Sequence, residues 1–529
     1  MYHIYQIVFQ LVLSTCLYGV YSFIRRKRRP RNSGIHVAIL LFFANLPYLI
    51  YNMFNPVYDG PIFTHLSDNR SPIQGDSVRN WGDTIRCKPK VILEPTSAEE
   101  IQEIVRNNDK IRVVGGGHSF SPLVCTEYTM ISLSKMDKIL NLTDTTVTCQ
   151  AGSSLKSLIT RLLETDKIIH GFGSIQDQSL AGAFSTSHHG LTFNSFAEDV
   201  VSLRAVLSNG TIIDTDELYY WRSHLGLLGI ITSMTINTYP NSKVKIKKNK
   251  ITIDEAINLL PGADAGIIET NYNQRDQGLL KYITIVGDAT NEKYPIKTDD
   301  FISAIWDSII IPAVVLFPSL SKFPLLDLVE SDDASEKPMV EAWSKFPEYG
   351  MMYSAYAIPF KNCSKFISSI DGEKHDISTI LIRYVHGQEN TTCLTFARKE
   401  ACVVDIYDLQ SQDTLNEFHV SIETLVNKFG GTSHWGKYYV GDIKKQVEHI
   451  PCYESFKVYR ETLDPEQKFV NNYTREILNL TNAKRYKDNK YQTKRMGFAS
   501  VVITSFIVVV SFLVLGCVNQ DDYELLGQT

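Results

Sequence analysis

The segment Ile111-Arg-Val-Val-Gly-Gly-Gly-His-Ser119 carries the strongest local signal in the chain. Its first four residues are typical of a β-strand, and they run directly into three consecutive glycines. Glycine can take positive φ, so three in a row let the backbone approach a ligand closely and present N–H groups to phosphate oxygens. The spacing is not G-x-G-x-x-G and does not predict a Rossmann nucleotide site. Considered alone, the loop is either a tight turn or an anion-binding loop.

The surrounding sequence favours the anion-binding loop. Upstream, Pro95–Val105 predicts a helix with Thr96 or Ser97 as its N-cap and acidic residues in its first turn. Downstream, Gly171–Ala183 and Ser185–Gly190 are dense in glycine, serine and threonine. Small residues at this density suit close backbone packing around a polyanion. Short β-branched strands alternate with amphipathic helical stretches from residue 80 onwards, which predicts a protein that mixes helices and sheets.

Short motifs follow one another in a fixed order through this region. They are Asn80-Trp81, Cys87-Lys-Pro89, Val113–Ser119, Ile131-Ser-Leu133, Ala151-Gly152, Gly173-Ser-Ile175, Gln178–Ala183, His189-Gly190, Ser208–Thr211 and Leu225–Thr232. Together they resemble the FAD-binding domain of the vanillyl-alcohol-oxidase (PCMH) type, over residues 80–242. Within that superfamily the chain most resembles the aldonolactone oxidases, which include L-gulonolactone and D-arabinono-1,4-lactone oxidase. The resemblance implies an α+β fold, in which a two-subdomain FAD-binding domain precedes an α+β substrate domain with an antiparallel sheet.

The resemblance also implies FAD as the cofactor and gives individual residues roles. His118 matches the histidine that many relatives bond covalently to the flavin 8α-methyl group; without the resemblance it would be a polar turn residue. His188 stands where the family usually has threonine. The other expected contacts are Gly115, Gly116, Gly117 and Ser119 at the pyrophosphate, Ser174, Ser179, Gly182 and His189 on the other side of the cofactor, and the backbones of Ile230 and Ile231 towards the adenine.

The second half of the chain, 264–482, resembles the substrate domain of the same family. Its clearest motif is Phe429-Gly-Gly-Thr-Ser-His-Trp-Gly-Lys437, where relatives read F-G-G-x-P-H-W-x-K and Ser433 replaces the proline. On their own, His434 and Lys437 would be surface residues at a turn. The resemblance places them against the isoalloxazine, where a cation stabilises the negative charge of reduced flavin or polarises a lactone oxygen.

Two acidic positions of the family are apolar in this chain. Relatives carry a strand E-x-R, whose side chains share one face because strand side chains alternate. Here Arg383 matches the arginine, and Leu381 occupies the position of the acid. The motif E-W/Y-x-I-P likewise becomes Ala355-Tyr-Ala-Ile-Pro359. Either the register of the comparison is wrong, or the loss of these acids changes the substrate preference or the rate.

Three uncharged apolar runs predict membrane anchoring, since about 20 apolar residues cross about 30 Å of hydrocarbon as a helix. The first, 4–24, precedes a basic cluster at 25–31, whereas a cleaved signal peptide carries its positive charge before the apolar core. The second, 35–54, contains proline and asparagine and either spans the membrane or lies in its interface. The third is 497–518. The stretch 301–320 is either core helix plus loop or a patch that rests on the membrane.

The flanking charges disagree on the side of the membrane that holds the central region. Basic residues favour the cytosol, so the cluster at 25–31 predicts a luminal centre if 35–54 spans, while the basic residues at 484–495 favour a cytosolic centre. The tail Asp521–Leu526 resembles a cytosolic sorting signal. It favours a luminal or extracellular centre, in an ER-like endomembrane or at the cell surface. Glycosylation sequons, several of which arise by chance, begin at Asn69, Asn141, Asn209, Asn362, Asn390, Asn472 and Asn479.

Composition excludes other classes of function. The chain of 529 residues is 44% hydrophobic and 21% charged, as in globular proteins, and its net charge of −5 gives no signal for nucleic-acid binding. No cysteine pair has C-x-x-C spacing, and no metal site is predicted. Of the nine cysteines, Cys16 and Cys517 lie in apolar runs. The other seven are expected to be core thiols, with one or two disulfides if the centre is luminal.

These observations predict a membrane-anchored FAD-dependent oxidoreductase. As the resemblance implies, it would oxidise a sugar lactone of the D-arabinono-1,4-lactone or L-gulono-1,4-lactone type by hydride transfer to flavin N5. Arg383 and Lys437 would hold the substrate, and O₂ would accept the electrons to give H₂O₂. Two alternatives stay open: an oxidoreductase of the same fold that acts on another alcohol, sugar or lipid, and an inactive membrane-tethered interaction protein. The intact motifs Gly115–Ser119 and His434–Lys437 favour an enzyme.

Overall fold

The structure, a computed structural model, describes residues 71–80, 85–173, 175–190, 192, 194–270, 277–288, 336–339, 352–370, 377–408, 412–439 and 441–480. The predicted anchors at 4–24, 35–54 and 497–518, the apolar stretch 301–320 and Ser174 lie outside these ranges. Within the ranges described, no helix is both long enough and apolar enough to cross a bilayer. The described residues all belong to one contact unit, so their mutual packing can be followed throughout.

The first half of the chain contains small sheets joined by short helices. In chain order its elements are β1 (Ile73–Gln74), β2 (Ser77–Arg79), β3 (Arg86–Cys87), β4 (Val91–Leu93), α1 (Ala98–Arg106), β5 (Ile111–Val114), β6 (Thr129–Ser132), β7 (Ile139–Leu142), β8 (Thr146–Gln150), α2 (Leu155–Leu163), β9 (Lys167–Ile168), α3 (Leu180–Ser185), α4 (Phe196–Asp199), β10 (Val200–Val206), β11 (Ile212–Thr215), β12 (Ile230–Asn237) and β13 (Tyr239–Pro240).

The glycine loop leaves the carboxyl end of a small parallel sheet with strand order β4-β6-β5. Helix α1 connects β4 to β5. Ser97 is its N-cap, because its Oγ accepts a hydrogen bond from the backbone N–H of Glu100, and Glu99 and Glu100 add negative charge to the first turn. Ile101 and Val105 are the buried face of the helix. Strand β5, from which the glycine loop leaves, is therefore held in place by its pairing with β6 and by helix α1 before it.

An antiparallel sheet with strand order β11-β10-β12-β8-β7 forms the other part of the first half. From Thr232 onwards its central strand β12 buries alternate side chains, as expected for a strand with one face on a core. The remaining strands form the small sheet β1-β2-β3 and the pair β13-β9. One continuous hydrophobic cluster joins both main sheets with α1 and α2.

The second half is built on one large antiparallel sheet. Its elements are β14 (Ser242–Thr252), α5 (Ile253–Leu259), β15 (Ala265–Thr270), β16 (Gln277–Asp288), β17 (Glu336–Pro338), β18 (Met352–Pro359), α6 (Cys363–Ser369), β19 (Ile377–Val385), β20 (Ala401–Asp408), α7 (Gln412–Lys428), β21 (Thr432–Ser433), α8 (Ile443–Glu448), α9 (Tyr453–Leu463) and α10 (Asn472–Ile477). The strand order is β17-β14-β16-β15-β19-β20-β18-β21, and every neighbouring pair is antiparallel.

The two faces of this sheet have different partners. Ile380 and Ile382 of β19 pack with α5, α6 and α7 in a second hydrophobic cluster. Leu381, whose side chain points to the opposite face because strand side chains alternate, packs against the cluster of the first domain. Arg383 lies on the same face as Leu381. The sheet thus carries the side chains of 381 and 383 to the junction of the two halves.

The last helices of the chain return to the first domain. Phe456, Phe469 and Ile477 belong to the same buried cluster as β5 and β12. Buried Arg112 of β5 donates to the carbonyl of Phe469, and the backbone N–H of Ile111 donates to the carbonyl of Lys468. The segment after α7 therefore completes the FAD-side core, although it follows the large sheet in sequence.

Disulfides are more numerous than the sequence suggested. Six of the seven central cysteines form the pairs Cys87–Cys125, Cys363–Cys402 and Cys393–Cys452, with Cα–Cα distances of 5.5, 6.1 and 5.8 Å. Cys149 is free and buried. The expectation of core thiols with at most two bridges was wrong for these six residues. The partners are 38, 39 and 59 residues apart, and only the folded strands and loops bring them within bonding range.

Candidate active site

The glycine loop lies directly against the second small-residue segment. A Cβ on Gly115 would lie 1.9 Å from Ser179 Oγ, and one on Gly116 would lie 2.6 Å from the carbonyl oxygen of Asp177. Gly117 has φ of +70°, a conformation that other residues rarely adopt. Ser179 is the N-cap of α3, and its Oγ accepts from Gly182 N–H at 3.3 Å. The structure thus places the loop predicted to hold the pyrophosphate against Ser179, which was predicted on the other side of the cofactor.

The loop fits an anionic ligand. Among the described residues, the backbone N–H groups of Gly115, Gly116 and Gly117 have no hydrogen-bond acceptor. Successive unpaired backbone N–H groups in a glycine loop are a common binding site for phosphate oxygens. Ile230 and Ile231, whose backbones were predicted to face the adenine, are the first two residues of β12, and their side chains are buried. No described contact joins them to the cationic residues of the site.

Arg383 crosses from the large sheet to the first domain. Its Nη2 lies 2.8 Å from Nε2 of His189, and its Nη1 donates to the carbonyl of Gly190 at 3.3 Å. Its Nη2 also forms an ion pair with Asp405 of β20. Because the guanidinium can only donate, the His189 Nε2 must accept, and His189 is neutral. Arg383 is thereby fixed between one acid and one imidazole.

The turn after β21 is tied to the glycine loop from the other side. His434 N–H donates to the carbonyl of Ala355 at 2.9 Å. Its Nδ1 accepts from Gly436 N–H at 3.0 Å, so its Nε2 carries the proton shared with the carbonyl of Ser187 at 3.2 Å. The N–H of Phe120, next to Ser119, donates to the carbonyl of Gly436 at 2.8 Å. The turn that carries His434 is therefore held beside Phe120 and Ser119.

Aromatic and imidazole rings fill the space between the two domains. The ring centroids of His189, Phe396 and His434 form a triangle with sides of 5.1, 5.1 and 4.6 Å. All three side chains are buried. Trp435 donates from Nε1 to the carbonyl of Leu394 at 2.6 Å, which fixes the loop that carries Phe396. These buried rings pack beside the face of the sheet that bears Arg383.

Burial and crowded positive charge shift the pKa values of the site. Burial lowers the pKa of Lys437 to about 7 and that of His434 to about 3. Burial, together with the smaller effects of Lys437, His434, Arg383 and His118, lowers the pKa of His188 to about 3. The pKa of His189 falls well below its usual range for the same reasons. The site is short of negative charge and will favour an anionic group among these residues.

Three residues near the site gave no usable signal in the sequence. Asp405 lies in a strand without a recognisable motif, and only the strand pairing places it beside Arg383. Phe396 lies in a loop. Glu423 of α7 lies on the helix side of the sheet and accepts from Ser433 Oγ at 3.1 and 3.3 Å. Ser433, which replaces the proline of relatives, is thus explained by a buried carboxyl group on the neighbouring helix.

Family models match most of the described chain. One described as an FAD binding domain matches residues 89–216, and one described as D-arabinono-1,4-lactone oxidase matches residues 286–477. The first match covers the glycine loop and α3, and the second covers Arg383 and the turn with His434 and Lys437. These matches confirm FAD as the cofactor.

Two of the three relatives described next match this chain over almost their whole length, and the third matches over about a third of its length. L-gulonolactone oxidase of Mus musculus is 24% identical over 444 residues, which are 76% of this chain and 98% of the relative. L-gulono-1,4-lactone dehydrogenase of Mycobacterium tuberculosis is 23% identical over 441 residues, which are 75% of this chain and 98% of the relative. D-arabinono-1,4-lactone oxidase of Candida albicans is 33% identical over 206 residues, which are 34% of this chain and 37% of the relative.

Solved structures show the same fold. A solvent-stable cholesterol oxidase matches with a TM-score of 0.61 and 16% identity, over 76% of this chain and 97% of the other. A cholesterol oxidase from B. sterolicum matches with a TM-score of 0.62 and 15% identity, over 76% and 96%. At this identity the likeness is one of fold alone. It confirms a mixed FAD-binding fold with an antiparallel sheet.

Proposed function

The chain belongs to the FAD-linked aldonolactone oxidase family, and from this premise we propose that it oxidises a sugar lactone of the D-arabinono-1,4-lactone or L-gulono-1,4-lactone type. It is an FAD-dependent oxidoreductase that acts on CH–OH donors. Two hydrogen bonds carry the lactone proposal: Arg383 contacts His189, and His434 contacts the carbonyl of Ser187. They hold a cationic and a hydrogen-bonding side chain of the substrate domain against the FAD-binding domain.

The cofactor would be held by the residues of the glycine loop. The three glycine N–H groups are available to the pyrophosphate, and Ser179 and Gly182 lie against the loop on its other side. When bound, FAD supplies the acceptor for the hydride that leaves the hydroxyl-bearing carbon of the substrate. We propose His118 as the covalent link to the flavin, because it directly follows the loop and its imidazole lies against Gly116.

The substrate would be oriented by Arg383 and Lys437. The Arg383 guanidinium, held by Asp405 and His189, can donate hydrogen bonds to lactone oxygens. Lys437 Nζ, with a pKa of about 7, can hold a proton or accept one from the substrate hydroxyl near neutral pH. The buried rings of His189, Phe396 and His434 exclude water while the hydride leaves. The electron acceptor we propose is O₂, with H₂O₂ as the product.

A second candidate is oxidation of another alcohol, sugar or lipid by the same site. One observation favours it: positions 381 and 355, acidic in the lactone-oxidising relatives by resemblance, carry Leu381 and Ala355 here. A substrate with fewer hydroxyl groups would lose less from their absence.

The substrate class is tested by anaerobic reduction of the purified full-length flavoprotein. We expect D-arabinono-1,4-lactone or L-gulono-1,4-lactone to bleach the flavin absorbance, and readmitted air to restore it with one H₂O₂ per lactone. Lys437→Met should slow bleaching about 100-fold without loss of bound flavin. A panel that also contains simple alcohols, sugars and sterols separates the two candidates. Bleaching by one of these and by no lactone would reject the lactone proposal.

We also propose that a membrane anchors the protein and that its central region lies in a lumen or outside the cell. The three disulfides support this location, because disulfides form and persist in oxidising compartments and are rare in the cytosol. The apolar runs 4–24 and 497–518 support the anchoring. The exposed sequon residue Asn390 would then be available for glycosylation.

A further inference from the structure

The two acids that the family resemblance leads one to expect are replaced on the strands that flank β20. Leu381 on β19 pairs directly with Asp405, and Ala355 on β18 pairs directly with the same residue from the other side. Directly paired residues of an antiparallel sheet point to one face, with Cβ atoms about 5 Å apart. Asp405 therefore lies in the same row, on the same face, between the two positions from which the carboxylates are missing.

Asp405 is bonded to the arginine that the missing acids would accompany. Its side chain is 2% exposed and forms the ion pair with Arg383 through Oδ2. Its Oδ1 accepts no hydrogen bond from the residues that the structure describes. Glu269 of β15 is the other acid in this row, because it pairs with Leu381 from the far side. No described bond joins Glu269 to Arg383, so proximity in the row does not by itself create the ion pair.

The ion pair decides where the guanidinium lies. Arg383 contacts Asp405 on the sheet and His189 in the first domain through the same Nη2, and its Nη1 contacts the carbonyl of Gly190. Without a carboxylate the buried guanidinium would keep only neutral partners. Burial raises the pKa of Asp405, and the charge of Arg383 opposes that rise. Removal of either partner would leave the other buried without an opposite charge, which is strongly destabilising.

We propose that Asp405 is the positioning residue of Arg383 and takes over, from the middle strand, the role of the acids absent at 381 and 355. It orients the guanidinium towards the first domain, so that a substrate oxygen meets a fixed donor. This inference rests on the proposed function for its substrate, but the position of the acid follows from the strand pairing and does not depend on which substrate is oxidised.

The test moves the acid back to the neighbouring strand. Asp405→Asn keeps the shape of the side chain and removes its charge, and we expect it to lower kcat/KM about 100-fold, as a misplaced catalytic group does. The double variant Asp405→Asn with Leu381→Glu places a carboxylate two residues from Arg383 on the same face. We expect it to recover at least tenfold of the loss. Glu269 is a buried acid of the same row that is not among the described partners of Arg383, and Glu269→Gln should change kcat/KM less than threefold.

Two readouts separate positioning from a general loss of structure. The affinity for the aldonic acid that corresponds to the substrate, measured by calorimetry, should fall in Asp405→Asn and return in the double variant, while the bound flavin per protein stays constant. If Asp405→Asn does not fold, Asp405→Glu and the double variant are compared instead, and both should fold and turn over. Full activity of Asp405→Asn, or a folded double variant without recovery, overturns the inference.

The outcome is distinguishable from failure of the proposed function. If no lactone is oxidised, the same four proteins are assayed with whichever compound of the panel bleaches the flavin. The lactone proposal then fails, while the dependence on the position of the carboxylate is still decided by the double variant.

Discussion

The imidazole of His118 folds back towards the glycine loop, since a Cβ on Gly116 would lie 3.0 Å from His118 Cδ2. The side chain therefore stays close to the place where the loop meets a bound cofactor. Burial is the main cause of the low pKa of His188, and the charge of His118 adds to it, which shows that both imidazoles belong to one electrostatic environment. A histidine in this place is close enough to the loop to be the attachment residue.

We expect the flavin to remain with the protein after acid precipitation of the wild type and to be released from His118→Ala. The absorbance of precipitate and supernatant measures this directly, without an activity assay. His170→Ala is the matched control, because the His170 ring stacks on that of Tyr239 with centroids 3.9 Å apart. The flavin of this variant should stay bound. Release from the wild type, or retention in His118→Ala, would contradict a covalent link at His118.

Local patterns predicted the parts of the site that depend on local backbone geometry. The strand that ends in Gly115–Gly117 and a helix cap at Thr96 or Ser97, which the structure places at Ser97, are each encoded by a few adjacent residues. Arg383 was pointed out by the family resemblance. Asp405 is 24 positions away from Leu381 in sequence, and nothing around it resembles a motif. It could not be predicted because its partner depends on the register of β19 with β20, and a shift of one residue would turn it to the other face.

Helix α7 carries a buried acid that makes the stability of the substrate domain depend on pH. Burial raises the pKa of Glu423 to about 8, against the opposing hydrogen bonds of Ser433 and Tyr356. Between about pH 4.5 and pH 8 the folded state therefore keeps a proton that the unfolded state has released. The unfolded state binds fewer protons in this window, so the free energy of unfolding falls as pH rises.

Glu423→Gln should remove this slope, because glutamine is neutral at every pH and can still accept from Ser433. We expect the two proteins to have similar melting temperatures at pH 5, and the variant to be more stable at pH 8 by on the order of 2–4 kcal/mol. Glu417→Gln, an exposed position on the same helix, serves as the control and should follow the wild type. If the free energy of unfolding had the same pH dependence in wild type and in Glu423→Gln, Glu423 would not retain its proton on folding, and the prediction would be wrong.

Across the whole molecule, the disulfides are the strongest indication of where the protein lies. Each closes a loop of 38, 39 or 59 residues. In the chain-entropy model each loop contributes about 4 kcal/mol to stability. No composition statistic predicted this, because nine cysteines in 529 residues is an ordinary number.

We expect protein purified from a eukaryotic secretory host to give the disulfide-linked peptides of all three pairs under non-reducing conditions. Reduction should lower its melting temperature by more than 10 °C, and Cys149 should react with a thiol reagent only after unfolding. Enzymatic removal of N-linked glycans should lower the apparent mass of the wild type on an electrophoresis gel. The decrease should be smaller for Asn390→Gln. Free thiols at the six paired positions together with no glycan would place the central region in the cytosol.

The bond from Arg112 to the carbonyl of Phe469 joins residues 357 positions apart, and it sets an order of events during synthesis. At about 5–20 residues per second, the ribosome needs about 20–70 s to make the chain between them. During that time the glycine-loop strand exists without the C-terminal helices that complete its core. The Cys87–Cys125 pair, by contrast, is available early. Loading of the cofactor should therefore follow release of the chain, and a nascent protein stalled before residue 469 should be colourless.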